Sequence, residues 1–241
     1  MLQYDAVIVG SGIAGLTYAL KLSSHFRKSY PGGRISIITK AEEDETNTKY
    51  AQGGVAVVSN FIKDSYTKHI NDTLDAGDFL SDPEVVKMVI ENGPKRVNEI
   101  IAWGTEFDRK KNGDYELGRE GGHSESRVLH HKDITGNEIE KKLLHQVHMA
   151  ENITVYSHHF AIDLITQHHL GIELPKRSPD IECYGIYVMD QKSHQILKMP
   201  SKVTVLATGG IGQVYYNTTN PSIATGDGIA MAYRAGAAIR N

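Results

Sequence analysis

The residues best suited to chemistry are three glycines, Gly10, Gly12 and Gly15, which follow a predicted strand at 5–9. In this spacing the first glycine permits a tight turn after a strand, and the second lets backbone N–H groups approach a pyrophosphate. The third lets the following helix pack closely on that strand, and the helix N-terminus offers free N–H donors and a partial positive charge to phosphates. We therefore predict a dinucleotide site near the start of the chain.

The surroundings of these glycines favour phosphate binding over the alternative, a glycine turn used only for packing. A helix-like stretch follows at 16–22 and a second strand at 34–39. Such a second strand usually ends in an acidic residue that binds a ribose hydroxyl, but this one ends in Thr39 and Lys40. Lys40 is either a ligand of the adenosine end or its phosphates, or a solvated loop lysine, and the sequence leaves both interpretations open.

The histidines and the cysteine give weaker signals. Three adjacent histidine pairs occur at 130–131, 158–159 and 168–169, but neighbouring side chains on a strand point to opposite faces, so we predict no metal site. Cys183 is the only cysteine, which excludes an intrachain disulfide. We expect a reducing compartment, namely the cytoplasm.

The composition is typical of a globular protein that acts on small molecules. Of the 241 residues, 40% are hydrophobic and 23% charged, and the net charge of −3 gives no reason to expect a nucleic acid or an anionic membrane as partner. No apolar stretch is long enough to cross a bilayer, and the first apolar run lacks the basic flank of a signal peptide.

The pattern of elements predicts an α/β fold. Helices are expected at 65–76, at 83–103 with Asp82 as N-cap and a break at Gly93-Pro94, at 135–148, and from 226 to 235. Strands are expected at 153–155, 161–165, 184–189, 195–198 and 203–206, of which the middle three form an antiparallel ribbon. We predict a Rossmann-like domain over 1–241, with a parallel sheet and a small antiparallel β ribbon.

Six groups of residues make the sequence similar to the flavoproteins of the succinate dehydrogenase and fumarate reductase superfamily, and within it to the L-aspartate oxidases. They are, in chain order, SGIAGL (11–16), YAQGG (50–54), REGGHS (119–124), RVLH (127–130), ATGG (207–210), and TNP (219–221) with TGDGIAMA (225–232). The resemblance covers essentially the whole chain.

The resemblance implies FAD as the cofactor. Its pyrophosphate is expected on the first glycine turn, its isoalloxazine ring near the loop 52–54, and its adenine at the backbone of Ala161. The cofactor-binding residues implied in this sequence are Ser11, Gly12, Ile13, Ala14, Lys40, Asn47, Thr48, Lys49, Tyr50, Ala51, Gln52, Gly53, Gly54, Ala161 and Asp227.

Two positions discriminate within the superfamily. Where the succinate dehydrogenases and membrane-bound fumarate reductases carry the histidine that binds flavin covalently, this sequence has Asn47, so the FAD is expected to be noncovalent. Glu120 stands where the dicarboxylate dehydrogenases have a different residue, and the resemblance implies that it binds the ammonium group of an amino-acid substrate. The alternative for Glu120 is a surface glutamate paired with Arg119 or Arg127.

The function implied by the resemblance is the FAD-dependent oxidation of L-aspartate to iminoaspartate in quinolinate and NAD biosynthesis. Oxygen or fumarate is the expected electron acceptor, and quinolinate synthase is a candidate partner. The alternatives are a soluble fumarate reductase or succinate dehydrogenase type of flavoprotein, and a catalytically inactive FAD-binding fragment. His123 and His130 lie in the similar segments, with either a substrate-side or a structural role.

In the superfamily the chain continues beyond the position of Asn241 into a capping domain, which carries the residues for proton transfer, and a C-terminal helical domain. We therefore expect no catalytic residue within these 241 residues, with weak FAD affinity and no aspartate oxidation by them alone.

Overall fold

The computed structural model describes residues 3–175 and 178–239. The described residues form five α-helices: α1 (Ile13–Ser29), α2 (Tyr66–Ala76), α3 (Pro83–Ala102), α4 (Thr135–His148) and α5 (Asp227–Arg234). They also form nine strands: β1 (Tyr4–Val9), β2 (Ile35–Ile38), β3 (Val55–Ala56), β4 (Leu117–Gly118), β5 (Val128–Leu129), β6 (Ile153–Tyr156), β7 (His159–Thr166), β8 (Cys183–Asp190) and β9 (Ile196–Leu206).

The chain divides into two compact units, one of Met1–Lys49 with Leu144–Asn241, called unit 1, and one of Tyr50–Leu143, called unit 2. The boundary falls within α4. That residues 1–241 act as one FAD-binding domain stays a prediction.

Unit 1 is built on a six-stranded sheet in the order β6-β2-β1-β9-β8-β7. The first four strands run parallel, and β9, β8 and β7 pair antiparallel. Val9 at the end of β1 is level with Ile38 at the end of β2 and with Leu206 at the end of β9. The three carboxyl ends therefore meet at one edge, which is where α/β sheets bind ligands. The predicted parallel sheet and antiparallel ribbon are confirmed.

The ribbon differs from the prediction in one respect, because the expected strands 195–198 and 203–206 are a single strand, β9. Its first half pairs antiparallel with β8 up to Pro200 opposite Gly185, and its second half pairs parallel with β1 from Ser201 opposite Tyr4. Proline has no N–H to donate to a ladder and usually interrupts a strand. Here Pro200 lies where the strand changes partner, so β9 continues through it.

Unit 2 contains α2, α3 and a three-stranded sheet in the order β3-β5-β4, which the sequence did not predict. Both helices begin at a side-chain cap, since Ser65 accepts a hydrogen bond from the Lys68 N–H and Asp82 accepts from the Glu84 N–H. The predicted break of α3 at Gly93-Pro94 is wrong. The helix runs on to Ala102 because its apolar face is buried on both sides of Pro94, at Val86, Ile90, Val97 and Ile100.

Candidate functional site

A cavity of about 640 Å³ opens at the carboxyl ends of β1, β2 and β9 in unit 1. Its volume lies within the range of small-molecule and cofactor sites, roughly 300–1,000 Å³. The segments that line it are the glycine turn 10–14, the ends of β2 and β9, the loop 45–48, the start of β7 and the start of α5. The cavity therefore gathers segments that lie far apart in the sequence.

The glycine turn is built as the spacing predicts. Gly10 has a φ of +112°, and a Cβ atom on it would overlap the carbonyl oxygen of Ala207. A Cβ atom on Gly15 would overlap the carbonyl oxygen of Gly10, so the close packing of α1 on β1 also requires glycine. These two positions keep the turn narrow and the backbone open to the cavity.

The N-terminus of α1 leaves polar groups available to an anion. The N-cap is Gly12, which provides no side-chain cap, and the first turn contains no acidic residue. The Ser11 hydroxyl is buried and has no hydrogen-bond partner within the described residues. Since a buried polar group without a partner is costly, this hydroxyl is suited to a phosphate oxygen, as is the helix N-terminus.

Lys40 and Asp227, both among the predicted ligands, meet in the cavity. The Lys40 ammonium forms an ion pair with Asp227 and donates to Thr225 Oγ1 at 2.6 Å. Asp227 lies in the first turn of α5, directly after the left-handed Gly226. The interpretation of Lys40 as a solvated loop lysine is therefore wrong, because only 25% of its side chain is exposed.

The loop between β2 and β3 adds further predicted residues to the cavity. Thr48 Oγ1 accepts a hydrogen bond from the Ile13 N–H at 3.0 Å, which joins the loop to the start of α1. Asn47 lines the same cavity, and Ala161 lines it from β7. Lys49 differs from its neighbours, because it lies outside the cavity lining and pairs with Asp44 at 2.7 Å.

Some residues of the cavity were not predicted as ligands. Thr208 follows β9, and a Cβ atom on Gly228 would overlap its side chain, so the second glycine turn and α5 pack tightly here. His159 and Phe160 line the cavity beside Ala161. The ATGG motif was a usable signal for Thr208, whereas nothing in the sequence around Phe160 marks it.

Unit 2 holds the other predicted site residues. A Cβ atom on Gly54 would overlap the Leu129 carbonyl oxygen, and one on Gly53 would lie 3.6 Å from Glu120 Oε1. The Ala51 carbonyl accepts from the Gly136 N–H at 2.9 Å, and Tyr50 and Gln52 are exposed. The loop 50–54 and Glu120 are thus close together in unit 2.

The structure does not support the alternative interpretation of Glu120, in which it pairs with Arg119 or Arg127. Arg119 Nε donates to the His123 carbonyl at 2.9 Å, and Arg127 pairs with Asp64 and Asp72. Within the described ranges the exposed carboxylate of Glu120 forms no ion pair.

Arg127 is the centre of a buried polar cluster. Its Nε and Nη2 atoms donate to the two oxygens of Asp64, each at 2.8 Å, and Nη1 donates to Asp72 Oδ2 at 2.5 Å. The guanidinium side chain is 1% exposed. His123 Nδ1 lies 3.1 Å from Nη1, and because arginine can only donate, His123 must accept there and carry its own proton on Nε2.

Protonation of Asp72 is expected to lower the stability of unit 2 at acidic pH. Burial opposes its ionisation, but hydrogen bonds from Arg127 and Ser124 lower its pKa from the usual 3.8 to about 2. The unfolded chain therefore takes up this proton first, and the stabilisation, present above about pH 5, is lost as the pH falls toward 2. We expect Asp72 to lower the free energy of unfolding of unit 2 by about 2 kcal/mol between pH 6 and pH 2.

The fluorescence of Trp103, the only tryptophan, measures this loss during denaturant unfolding at each pH. Asp72→Asn should show a flatter dependence between pH 5 and pH 2. An identical pH dependence in both proteins would contradict the assignment.

The geometry of unit 1 agrees with comparisons to known proteins. The sequence pattern of the FAD binding domain family matches residues 5–241. The chain belongs to this family. FAD is accordingly the cofactor of this FAD-binding domain, and the buried Ser11 hydroxyl and the glycine turn fit its pyrophosphate.

Relatives of this chain match nearly all of it. The chloroplastic L-aspartate oxidase of Oryza sativa subsp. japonica is 48% identical over 99% of the chain, and the L-aspartate oxidase of Acinetobacter baylyi is 42% identical over 99%. The chain spans 34% and 42% of these two proteins. The resemblance to this group is confirmed, and the chain corresponds to a third or somewhat more of each relative.

Solved structures confirm the fold. A mutant of the E. coli quinol fumarate reductase FrdA superposes with a TM-score of 0.83 and 28% identity, covering 97% of the chain and 37% of that protein. The apo form of the Mycobacterium smegmatis Sdh1 complex superposes with a TM-score of 0.82 and 29% identity, covering 97% of the chain and 39% of that protein.

His130 is the remaining predicted residue in unit 2. His130 Nδ1 lies 3.1 Å from Asp108 Oδ2 within unit 2, and its role at the substrate side or in the structure stays a prediction. A backbone hydrogen bond from Lys132 is the main cause that lowers the pKa of Asp108.

Over residues 3–175 and 178–239, no helix combines the length and apolar character needed to cross a bilayer.

Proposed function

We propose that the protein oxidises L-aspartate to iminoaspartate, with FAD bound noncovalently in the cavity of unit 1. When bound, FAD supplies the two-electron oxidation. The observation that carries the proposal is the position of Glu120, whose exposed carboxylate lies beside Gly53 and forms no ion pair with the described residues. The identity of 38–48% to L-aspartate oxidases supports it.

The cavity residues would hold FAD by hydrogen bonds and charge alone. Ser11, Gly12, Ile13 and Ala14 would contact the pyrophosphate through the hydroxyl and the start of α1, and Ala161 would meet the adenine. Lys40 and Asp227, fixed by their ion pair, would lie near the adenosine end. Asn47 has no imidazole that could attack the flavin, which supports noncovalent attachment.

The loop 50–54 would lie at the isoalloxazine ring. Its glycines leave the backbone uncovered, and Gly54 in particular admits no side chain. Thr48 would fix the preceding loop through its hydrogen bond to Ile13, and Lys49 would act indirectly, because it pairs with Asp44.

Glu120 would distinguish an amino acid from a plain dicarboxylate. L-Aspartate carries an ammonium group that succinate and fumarate lack, and burying that cation without a partner is costly. The exposed carboxylate of Glu120, which forms no ion pair with the described residues, is suited to this role.

A second candidate is a soluble flavoprotein of the fumarate reductase or succinate dehydrogenase type, and the superpositions on FrdA and Sdh1 support that type of flavoprotein. It would require no counter-ion for an ammonium group. We further propose oxygen or fumarate as electron acceptor, quinolinate synthase as the user of the product, and the cytoplasm as location.

Glu120→Gln tests the proposal in the complete FAD-loaded protein. Losing one charge-assisted hydrogen bond should raise the KM for L-aspartate about 10- to 100-fold. The inhibition constant of succinate, which has the same skeleton without an ammonium group, should stay within about twofold. Steady-state assays with a dye acceptor measure both constants.

Glu116→Gln is the matched control, since Glu116 is exposed in the same segment and should leave both constants unchanged. Aspartate oxidation with an unaltered KM in Glu120→Gln would contradict the role of Glu120. Fumarate reduction without any aspartate oxidation by the unmodified protein would favour the second candidate.

A further inference from the structure

Asp72 in α2 receives more hydrogen bonds than its part in the buried cluster needs. Its Oδ2 atom accepts from the Ser124 N–H and the Ser124 hydroxyl, each at 2.8 Å, as well as from Arg127. Asp64 already binds two nitrogens of the guanidinium group, and His123 accepts from the third. Arg127 would therefore remain partnered without Asp72, whereas Ser124 would lose its contact with α2.

Ser124 ends the turn that carries Glu120. Within this turn the His123 N–H donates to the Glu120 carbonyl at 3.2 Å, and Arg119 Nε donates to the His123 carbonyl. Gly122 has a φ of +84°, which reverses the chain. The turn 119–124 is thus closed on itself. Asp72 attaches it to α2 through Ser124, and Arg127, which precedes β5, contacts it through His123. Lys68 of α2 pairs with the next residue, Glu125, at 2.6 Å.

This attachment matters because Glu120 itself is exposed and unpaired. A carboxylate on an unsupported surface turn would sample many positions, and fixing it in one would oppose binding. Anchoring the turn to a helix removes most of that cost in advance, and displacement of a binding group by about 1 Å is enough to reduce activity substantially.

We propose that Asp72 is a positioning residue that fixes the turn 119–124 and thereby sets the preference for an amino dicarboxylate over a plain dicarboxylate. This inference rests on the proposed function, because it takes Glu120 as the partner of the substrate ammonium group. Asp72 itself does not contact the substrate.

The test compares Asp72→Ala with the control Asp75→Ala in the complete FAD-loaded protein. Asp75 is exposed in the same helix, so its replacement changes the charge and the helix propensity equally. Asp72→Ala should raise the KM for L-aspartate at least about tenfold, with kcat within about threefold and the inhibition constant of succinate within about twofold. Asp75→Ala should change none of these. Asp72→Asn, which can still accept from Ser124, should give an intermediate KM and replaces Asp72→Ala if that variant does not fold.

A double-mutant cycle distinguishes positioning from a general loss of structure. Once Glu120 has been changed to glutamine, adding Asp72→Ala should raise the KM for L-aspartate by less than about twofold, because the two residues act through one contact. Fully multiplicative effects would overturn the inference.

Amide hydrogen exchange over residues 119–124 gives a readout that is independent of turnover. We expect faster exchange in Asp72→Ala than in Asp75→Ala, and equal exchange would overturn the inference. If the unmodified protein does not oxidise L-aspartate, the proposed function fails, and the exchange result alone decides whether Asp72 holds the turn. If it does oxidise L-aspartate but Asp72→Ala leaves the KM unchanged, the inference fails and the proposed function stands.

Discussion

Replacing Gly10 with alanine is expected to abolish stable FAD binding. Its φ of +112° strains any other residue, and the added Cβ atom would overlap the Ala207 carbonyl oxygen at the rim of the cavity. The Ala207 N–H also donates to the Val9 carbonyl at 2.8 Å, so the ends of β1 and β9 would have to separate. Because both ends form the cavity, we expect the FAD affinity to fall at least about 100-fold, or about 2.7 kcal/mol.

Flavin absorbance retained after desalting, followed by titration of apoprotein, measures this loss. Gly32→Ala is the matched control, because Gly32 also has a positive φ, +93°, but a Cβ atom there meets no atom within 4 Å. It carries the backbone strain without the overlap and should still bind FAD. Equal affinities of Gly10→Ala and the unmodified protein would contradict the cavity as the FAD site.

Replacing Arg127 with methionine is expected to destabilise unit 2 by about 3–5 kcal/mol. Methionine has a similar length but no charge, so Asp64 and Asp72 would keep their carboxylates with no cation between them. Asp64 is 5% exposed and cannot turn to solvent without disrupting the unit. The loss is a large fraction of the 5–15 kcal/mol that typically stabilises a domain.

Urea unfolding followed by Trp103 fluorescence measures the effect, with Arg96→Met as control. Arg96 lies on α3 and pairs with Glu99 at the surface, where such pairs contribute less than about 1 kcal/mol. A loss in Arg127→Met no larger than in Arg96→Met would show that the buried cluster does not stabilise unit 2.

The parts of the fold that sequence could predict are those fixed by local chemistry. The local part of the glycine turn is the φ of +112° at Gly10 and the close approach of Gly15 to the Gly10 carbonyl, whereas the contact of Gly10 with Ala207 is not local. Ser65 and Asp82 mark helix starts through their own side chains. The sequence pattern predicted a break within β9 and another within α3, and both predictions were wrong for the same reason. Proline breaks either element in isolation, but pairing with two neighbours in one case and a buried apolar face in the other keep the element continuous.

In the candidate site, sequence motifs predicted individual residues but not the contacts between residues that lie far apart in the chain. The end of the second strand indicated Lys40, and the resemblance indicated Asp227, as residues near the cofactor. Their ion pair joins residues 187 positions apart, and no spacing rule indicates it. The same holds for Arg127, whose acidic partners precede it by 63 and 55 positions. Glu120 was predicted from the resemblance, whereas the anchoring of its turn by Asp72 depends on tertiary contacts alone.

The most direct test of the account is the anaerobic addition of L-aspartate to the complete FAD-loaded protein while the oxidised-flavin absorbance is recorded. We predict bleaching by L-aspartate, no bleaching by D-aspartate, and a much higher L-aspartate requirement in Glu120→Gln. An oxidised-flavin spectrum that L-aspartate leaves unchanged, in a protein whose flavin is still bleached by dithionite, would contradict the proposed function.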